Sequence, residues 1–221
     1  MAEHDDQLKA ITEMRDLMNR SSRFLSLSGI SGVCAGVFAL LGATAAMLYF
    51  SGWLFREFPF DISDLRISYE GRAVEVSGEV TRFILFFGVD AGLVLFFSLL
   101  TGWYFSRRKA KRDGIPFWDG TASRALLNLG IPLAAGGFFC LALLLHGAIG
   151  LIAPATLIFY GLALVNASKY TVNDIRYLGL SEILLGLLAT VFIGYGLLFW
   201  AVGFGVLHIV YGLVLYFKYE R

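Results

Sequence analysis

Two ionisable residues lie deep inside apolar runs of this sequence, where they could do chemistry. Asp90 lies in Gly88-Val-Asp-Ala-Gly92, near the middle of the run from Phe83 to Ser106. His208 lies near the middle of a later run, at a matching depth if both runs cross a bilayer. An acid at the bilayer centre costs about 2.5–3.5 kcal/mol on insertion scales, so we expect Asp90 to face other helices. The sequence predicts an Asp90–His208 pair, either a proton relay or cation site or else a structural polar clasp.

Glu182 is a secondary candidate. It follows Ser181 near the start of the apolar stretch from Leu178 to Phe217. Long charged side chains near the end of a membrane helix reach toward water and toward opposite charges. We therefore interpret Glu182 first as an interfacial acid that reaches Arg176 or a basic loop residue.

The sequence contains none of the common catalytic or cofactor motifs. HExxH, paired CxxC, Walker and GxSxG patterns are absent. The chain has three histidines and two cysteines, too few and too scattered for a structural zinc site. Cys34 and Cys140 both fall in apolar runs, which indicates buried thiols rather than a disulfide. We therefore predict no catalytic residue, no metal and no cofactor, and no enzymatic activity.

The elements that position these residues are membrane helices. The stretch from Leu126 to Asn166 has no Asp, Glu, Lys or Arg, and the stretch from Leu178 to Phe217 has only Glu182. A transmembrane helix needs about 20 residues, and each stretch is about twice that long. Each must fold back as a hairpin. With the runs Phe24–Phe50 and Phe83–Ser106, the sequence predicts an all-α polytopic membrane bundle of six transmembrane helices.

The distribution of basic residues predicts the orientation. Most of the 18 Lys and Arg residues lie on one predicted side of the membrane. They precede the first span, lie between the second and third or between the fourth and fifth spans, or follow the sixth. The positive-inside rule then places both termini in the cytoplasm of a bacterial inner membrane. The cluster from Arg107 to Arg112 directly follows a span, so we interpret it as a topology anchor and expect no nucleic-acid partner.

Two predicted segments lie outside the spans, one before the membrane domain and one within it. Residues 1–22 contain a predicted cytoplasmic amphipathic helix over His4–Asn19, with its apolar residues near one face. Residues 23–221 form the single membrane domain, with an external loop over residues 51–81. Within that loop, alternation over residues 66–77 suggests a small β-hairpin.

The chain also shows signs of an internal repeat. Arg23, Arg124 and Arg176 each open an odd-numbered span, and Gly29-Ile30, Gly130-Ile131 and Glu182-Ile183 follow at equal distances. Tyr160-Gly-Leu-Ala-Leu in the fourth span matches Tyr211-Gly-Leu-Val-Leu in the sixth. We therefore predict three parallel copies of one αα-hairpin, a kind of symmetry common in membrane folds.

Small residues form helix-packing seams in the first two spans. Ser28, Gly32 and Gly36 recur at intervals of four, and Gly88 and Gly92 do the same. Such seams let two helices approach closely. Besides the lipid bilayer, they predict a membrane or cytoplasmic protein partner or a homo-oligomer.

The segment Arg20-Ser-Ser-Arg-Phe-Leu-Ser-Leu-Ser-Gly-Ile-Ser-Gly resembles uncharacterised six-span inner-membrane proteins of bacteria, most clearly over residues 8–45. The resemblance implies the topology and no activity. The Gly and Leu spacing of the repeated hairpins is also similar to bacterial acid-resistance membrane proteins of the HdeD type.

Two function classes stay open. The first is a non-enzymatic accessory, sensory or stress-response membrane component, favoured by sparse polar residues and small-residue seams. The second is a small transporter or channel, with Asp90 and His208 on a proton or cation path. Further polar residues on the same helix faces would favour the second class, and these runs carry few, chiefly Ser98 and Thr101.

Overall fold

The computed structural model describes residues 27–51 and 78–221 of the protein, and these ranges are helical with no strand. The predicted amphipathic helix over His4–Asn19 and the predicted hairpin over residues 66–77 lie outside the described residues. The five long helices are α1 (Gly29–Phe50), α2 (Gly78–Arg112), α3 (Gly120–Leu145), α4 (Ile152–Ala167) and α5 (Asp174–Val191). The chain ends in a composite helix made of α6 (Gly196–Trp200), a π-helical segment (Ala201–Leu207) and α7 (His208–Tyr219).

Both long apolar stretches divide into two helices, as their length predicts. The first breaks after α3, where Gly147 adopts a φ of 72°, a left-handed conformation that glycine tolerates best. A short 3₁₀ turn over Ile149–Leu151 then leads into α4. The second stretch breaks at Phe192 and passes through a 3₁₀ turn over Ile193–Tyr195 into α6.

Five described helices are long and apolar enough to cross a membrane: Gly29–Phe50, Thr81–Arg112, Gly120–Leu145, Ile149–Tyr170 and Ile193–Tyr219. The protein is therefore a helical membrane protein. Helix α5 is 18 residues long and carries Asp174, Arg176 and Glu182. With three charged residues within 18, it is not among these five helices.

The helices pack in an open chain of neighbours. Helix α1 packs against α2 on one side and against the composite last helix on the other. Helix α3 packs against α4, and α4 packs most extensively against α5. Among the described residues, the consecutive helices α2 and α3 make no extended contact with each other. Large side chains on both remain exposed, such as Leu95 at 60% and Phe138 at 75%.

Glycines bring α1 and the last helix into backbone contact, an arrangement called here the first joint. A Cβ atom at Gly212 would lie 2.7 Å from the carbonyl oxygen of Gly29. A Cβ atom at Gly36 would lie 2.6 Å from the carbonyl oxygen of Gly205. Ordinary Cβ contacts are longer, so a larger residue at these positions would push the helices apart. Close approach through small residues is how membrane helices gain packing energy without a hydrophobic drive.

A second joint of the same kind connects α4 and α5. A Cβ atom at Gly161 would lie 2.5 Å from the carbonyl oxygen of Gly179, and one at Gly179 would lie 2.7 Å from that of Gly161. Farther along, a Cβ atom at Gly186 would lie 3.0 Å from the carbonyl oxygen of Pro154. The two joints hold α1, the last helix, α4 and α5 at separations that only glycine permits.

Charged residues gather at the end of the bundle where α1 begins and α7 ends. The Glu220 carboxylate accepts hydrogen bonds from the Ser28 hydroxyl at 3.1 Å and from the Gly29 amide. Lys109 Nζ lies 3.6 Å from Glu220 Oε1 and donates to the Leu27 carbonyl at 2.8 Å. A carboxylate at a helix N-terminus satisfies free amides and favours the helix dipole. Glu220 thus ties α7 and α2 to the start of α1.

Candidate functional site

The structure does not bring Asp90 and His208 together. Asp90 lies on α2 and is half-buried against α1, where a Cβ atom at Gly42 would lie 3.2 Å from Asp90 Oδ2. His208 lies at the start of α7, and its contacts are with α4, α5 and its own helix. Helix α1 packs against both α2 and α7. The predicted polar pair is therefore not formed, although both residues face other helices as the cost of charge in lipid requires.

Glu182 lies at the centre of the bundle rather than at its edge. Its side chain is fully buried, with an exposed fraction of 0%. Glu182 Oε1 lies 3.5 Å from His208 Nδ1, an arrangement of an acid and a base. No donor among the described residues forms a hydrogen bond to either carboxyl oxygen. The interpretation of Glu182 as an interfacial acid reaching Arg176 is thus corrected, because Glu182 projects from α5 toward the last helix.

The space for Glu182 is created by a glycine on the opposite helix. A Cβ atom at Gly203 would contact Glu182 Oε2 and would lie 2.5 Å from Leu157 Cδ2. Leu157 is itself fully buried on α4. Any other residue at position 203 would displace the carboxyl group or the leucine, so Gly203 is part of the site.

His208 is held by partners at both ring nitrogens. Nε2 lies 2.7 Å from the Tyr160 hydroxyl, which comes from α4. Nδ1 lies 3.0 Å from the Gly203 carbonyl oxygen. A carbonyl oxygen can only accept, so Nδ1 carries a hydrogen, and in the neutral ring Nε2 accepts from the tyrosine hydroxyl. The backbone of the last helix therefore selects one tautomer of His208.

The π-helical segment immediately precedes His208. It covers Ala201–Leu207 and includes both Gly203 and Phe204. π-Helical turns are rare in proteins, and those that do occur are often found at functional sites. The Phe204 ring lies 4.9 Å from the Tyr160 ring and 5.0 Å from the Trp200 ring, measured between centroids. The segment thus presents a carbonyl group to His208 and an aromatic side chain against Tyr160.

Tyr160 is the member of this site that sequence reasoning did not select. Its position in Tyr160-Gly-Leu-Ala-Leu was read as part of a repeat, and aromatic residues in membrane helices are usually packing residues. The signal that could have identified it is depth, because Tyr160 lies near the middle of its helix as His208 does in the last span.

The described residues do not form a metal centre. No group of three or more His, Cys, Asp or Glu side chains in residues 27–51 and 78–221 is arranged to hold an ion. Cys34 and Cys140 are free and partly buried rather than fully buried. The Glu182, His208 and Tyr160 side chains are called here the polar triad. Their partners are one another and the backbone of Gly203.

Comparison with known proteins gives no family for this chain. No protein-family description matches it, and neither curated proteins nor solved structures give a significant match.

Proposed function

We propose that this chain is a non-enzymatic, six-span membrane component of the accessory, sensory or stress-response kind, acting through helix packing in a bacterial inner membrane with both termini cytoplasmic. In this proposal α5 is the remaining span. One observation carries the proposal. The sequence contains the glycines for a third joint like the two described above, and within the described part of the single chain these glycines contact no other helix.

The odd-numbered spans share a pair of glycines with one spacing. These pairs are Gly29 and Gly36, Gly130 and Gly137, and Gly179 and Gly186. The first pair meets the last helix and the third pair meets α4, in matching contacts. Gly179, rather than Glu182, thus occupies the place equivalent to Gly29. The Gly130–Gly137 pair of α3 has no neighbouring atom within 4 Å of a Cβ placed at either residue.

The even-numbered spans share a complementary segment. It reads Gly161-Leu-Ala-Leu in α4 and Gly212-Leu-Val-Leu in α7, and these glycines are the ones that meet Gly179 and Gly29. Helix α2 carries the same segment as Gly92-Leu-Val-Leu. A Cβ atom at Gly92 would also have no neighbour within 4 Å. Both halves of a third joint are therefore present and unused, which supports the predicted three-fold repeat.

We propose that a second copy of this chain completes the third joint, with α2 of each protomer packed against α3 of the other. Such an exchange is self-complementary, and two-fold dimers of this kind are the commonest oligomers. It would cover the apolar faces of the least buried helices, α2 and α3. Closure of α2 onto α3 within one chain is the competing arrangement.

Cysteine crosslinking separates these arrangements. In a Cys34→Ala, Cys140→Ala background, differently tagged copies carrying Gly92→Cys or Gly130→Cys would be coexpressed and oxidised in membranes. A disulfide between the two tags is expected. The matched control pairs Leu99→Cys with Phe138→Cys, which are exposed at 64% and 75% and lie displaced toward opposite ends of the antiparallel α2 and α3 from Gly92 and Gly130. A crosslink found only within a Gly92→Cys, Gly130→Cys double variant would replace the dimer by a closed monomer. No specific crosslink in either format would contradict the third joint.

The second candidate, a small transporter or channel, is favoured by the buried Glu182–His208 pair rather than by the pair of Asp90 and His208. Buried ionisable residues in membrane helices often mark ion or proton pathways. Purified protein in liposomes containing a pH-sensitive dye tests this directly. Proton flux above that of protein-free liposomes, abolished by Glu182→Gln, would establish transport and displace the accessory function. Flux equal to that of protein-free liposomes is the result expected for a non-transporting component.

A further inference from the structure

We infer that the polar triad is a proton-binding site, with Glu182 carrying the bound proton and His208 neutral when the helices are packed as observed. The inference rests on the geometry of α4, α5 and the last helix, and it does not depend on the third joint between α2 and α3. It assigns a ligand, the proton, to residues that lie far from the exposed faces.

The distances around His208 indicate a neutral ring. An imidazolium beside a carboxylate forms a short charge-assisted hydrogen bond of about 2.7–2.9 Å. The observed distance between His208 Nδ1 and Glu182 Oε1 is 3.5 Å, and Nδ1 instead lies 3.0 Å from the Gly203 oxygen. The 2.7 Å contact at Nε2 fits a tyrosine hydroxyl donating to an unprotonated nitrogen. His208 therefore offers no positive charge to Glu182.

Among the residues that the structure describes, no other charge is paired with Glu182. Helix α4 contributes Tyr160, and the face of α1 against the π-helical segment contributes Gly36 and Leu40. The remaining ionisable groups on the helices packed around the site are Cys34 and Tyr49 on α1, Asp174, Arg176 and Tyr177 on α5, and Tyr211, Tyr216, Lys218 and Tyr219 on α7. Lys218 is paired with Asp174 at 2.9 Å, at the far end of α7 from His208.

A fully buried carboxylate without a donor or a cation is strongly disfavoured, and such a group takes up a proton instead. The bound form contains Glu182 as a neutral acid and His208 with one hydrogen on Nδ1. Release breaks the Glu182 O–H bond, sends the proton to water and leaves a carboxylate. The Nδ1–H group can then turn from the Gly203 oxygen toward Glu182 Oε1, which lies 3.5 Å away.

Infrared spectroscopy of the purified protein in deuterated lipid bilayers at pH 7 tests the site directly. The carbonyl stretch of a protonated carboxyl group is expected in the wild type, and it should be absent in Glu182→Gln, which preserves shape. The control Asp90→Asn changes the other acid within the apolar helices and should retain the Glu182 band. In Tyr160→Phe the band should persist at a shifted frequency, because the loss of the hydroxyl changes the partner of His208.

A second measurement needs no substitution at Glu182. Unfolding the Asp90→Asn protein in denaturing detergent at pH 7, in weakly buffered solution, should release about one proton per chain as the exposed glutamic acid ionises. The absence of a protonated-carboxyl band together with no proton release would overturn the inference. A band that survives unchanged when Glu182→Gln is added to the Asp90→Asn protein would also overturn it, because the proton would belong to another group. Neither result depends on whether the chains dimerise through α2 and α3, so this site and the proposed function fail separately.

Discussion

Glu220, which directly follows α7, forms an ion pair with Lys109 at a distance of 3.6 Å, and both side chains are almost completely buried. The pair connects the end of α7 to the end of α2, and Glu220 also accepts hydrogen bonds at the start of α1. Three helix ends that lie far apart in the sequence are thus fixed by one carboxylate.

We expect Lys109→Met to destabilise the protein by up to about 3 kcal/mol, because removing one partner of a buried ion pair leaves the other charge uncompensated. Glu220→Gln should cost less, since the amide oxygen can still accept from the Gly29 N–H while the NH2 group donates to the Ser28 hydroxyl oxygen. Lys111→Met, at an exposed position on the same helix, is the control and should have little effect. Thermal unfolding in detergent measures all three. Equal stability of the Lys109→Met and Lys111→Met variants would contradict a stabilising role for the pair.

The topology is tested by labelling intact cells with a membrane-impermeant maleimide in the cysteine-free background. His146→Cys, in the exposed turn between α3 and α4, should react because the basic-residue distribution places this turn outside. Lys111→Cys is equally exposed and should react only after the membrane is opened. The opposite labelling pattern would invert the orientation.

Replacing a glycine by leucine should have different effects in the second joint, where two helices are in contact, and at Gly92 on α2, where no other described helix is in contact. Gly161→Leu places a side chain against the backbone of α5, and we expect a loss of at least about 1–3 kcal/mol, the range for overpacked sites. Gly92→Leu enters open space in the single chain and should leave its thermal stability nearly unchanged. In the proposed dimer, Gly92→Leu added to the copy that carries Gly130→Cys should disrupt the symmetry-related contact and reduce crosslinking between protomers. Comparable losses of stability in both variants would argue against an open α2 face.

A bound proton on Glu182 predicts a specific dependence of stability on pH. Above about pH 4.3, where an exposed glutamic acid ionises, Glu182 holds one more proton in the folded state than in the unfolded state, so its contribution to stability falls as pH rises. Below about pH 6.5 the neutral His208, which takes up a proton only on unfolding, gives a slope of the opposite sign that wild type and variant share. The slope is about 1.4 kcal/mol per pH unit for one proton and ends where the folded protein also releases it. Glu182→Gln should lack this component. Parallel wild-type and variant curves between pH 5 and 8 would count against proton binding at Glu182.

The sequence alone determined the helical membrane character of the chain and the division of its two long apolar stretches. Both follow from local properties, because hydrocarbon thickness limits the length of a span and each stretch exceeds one span. The breaks at Gly147 and Phe192 occur inside those stretches. The six-span count, the orientation and the repeat remain predictions, and the contacts of Gly161 and Gly212 support the repeat.

Only the tertiary structure decided which polar residues meet. Depth along a helix can be read from the sequence, and it made Asp90 the natural partner of His208. Contact also depends on the order of neighbouring helices and on the rotation of each about its axis. Helix α1 packs between the helices that carry Asp90 and His208, while Tyr160 and Glu182 project from α4 and α5 onto the histidine. Glu182 is buried there because Gly203, on a different helix, leaves room for its carboxyl group.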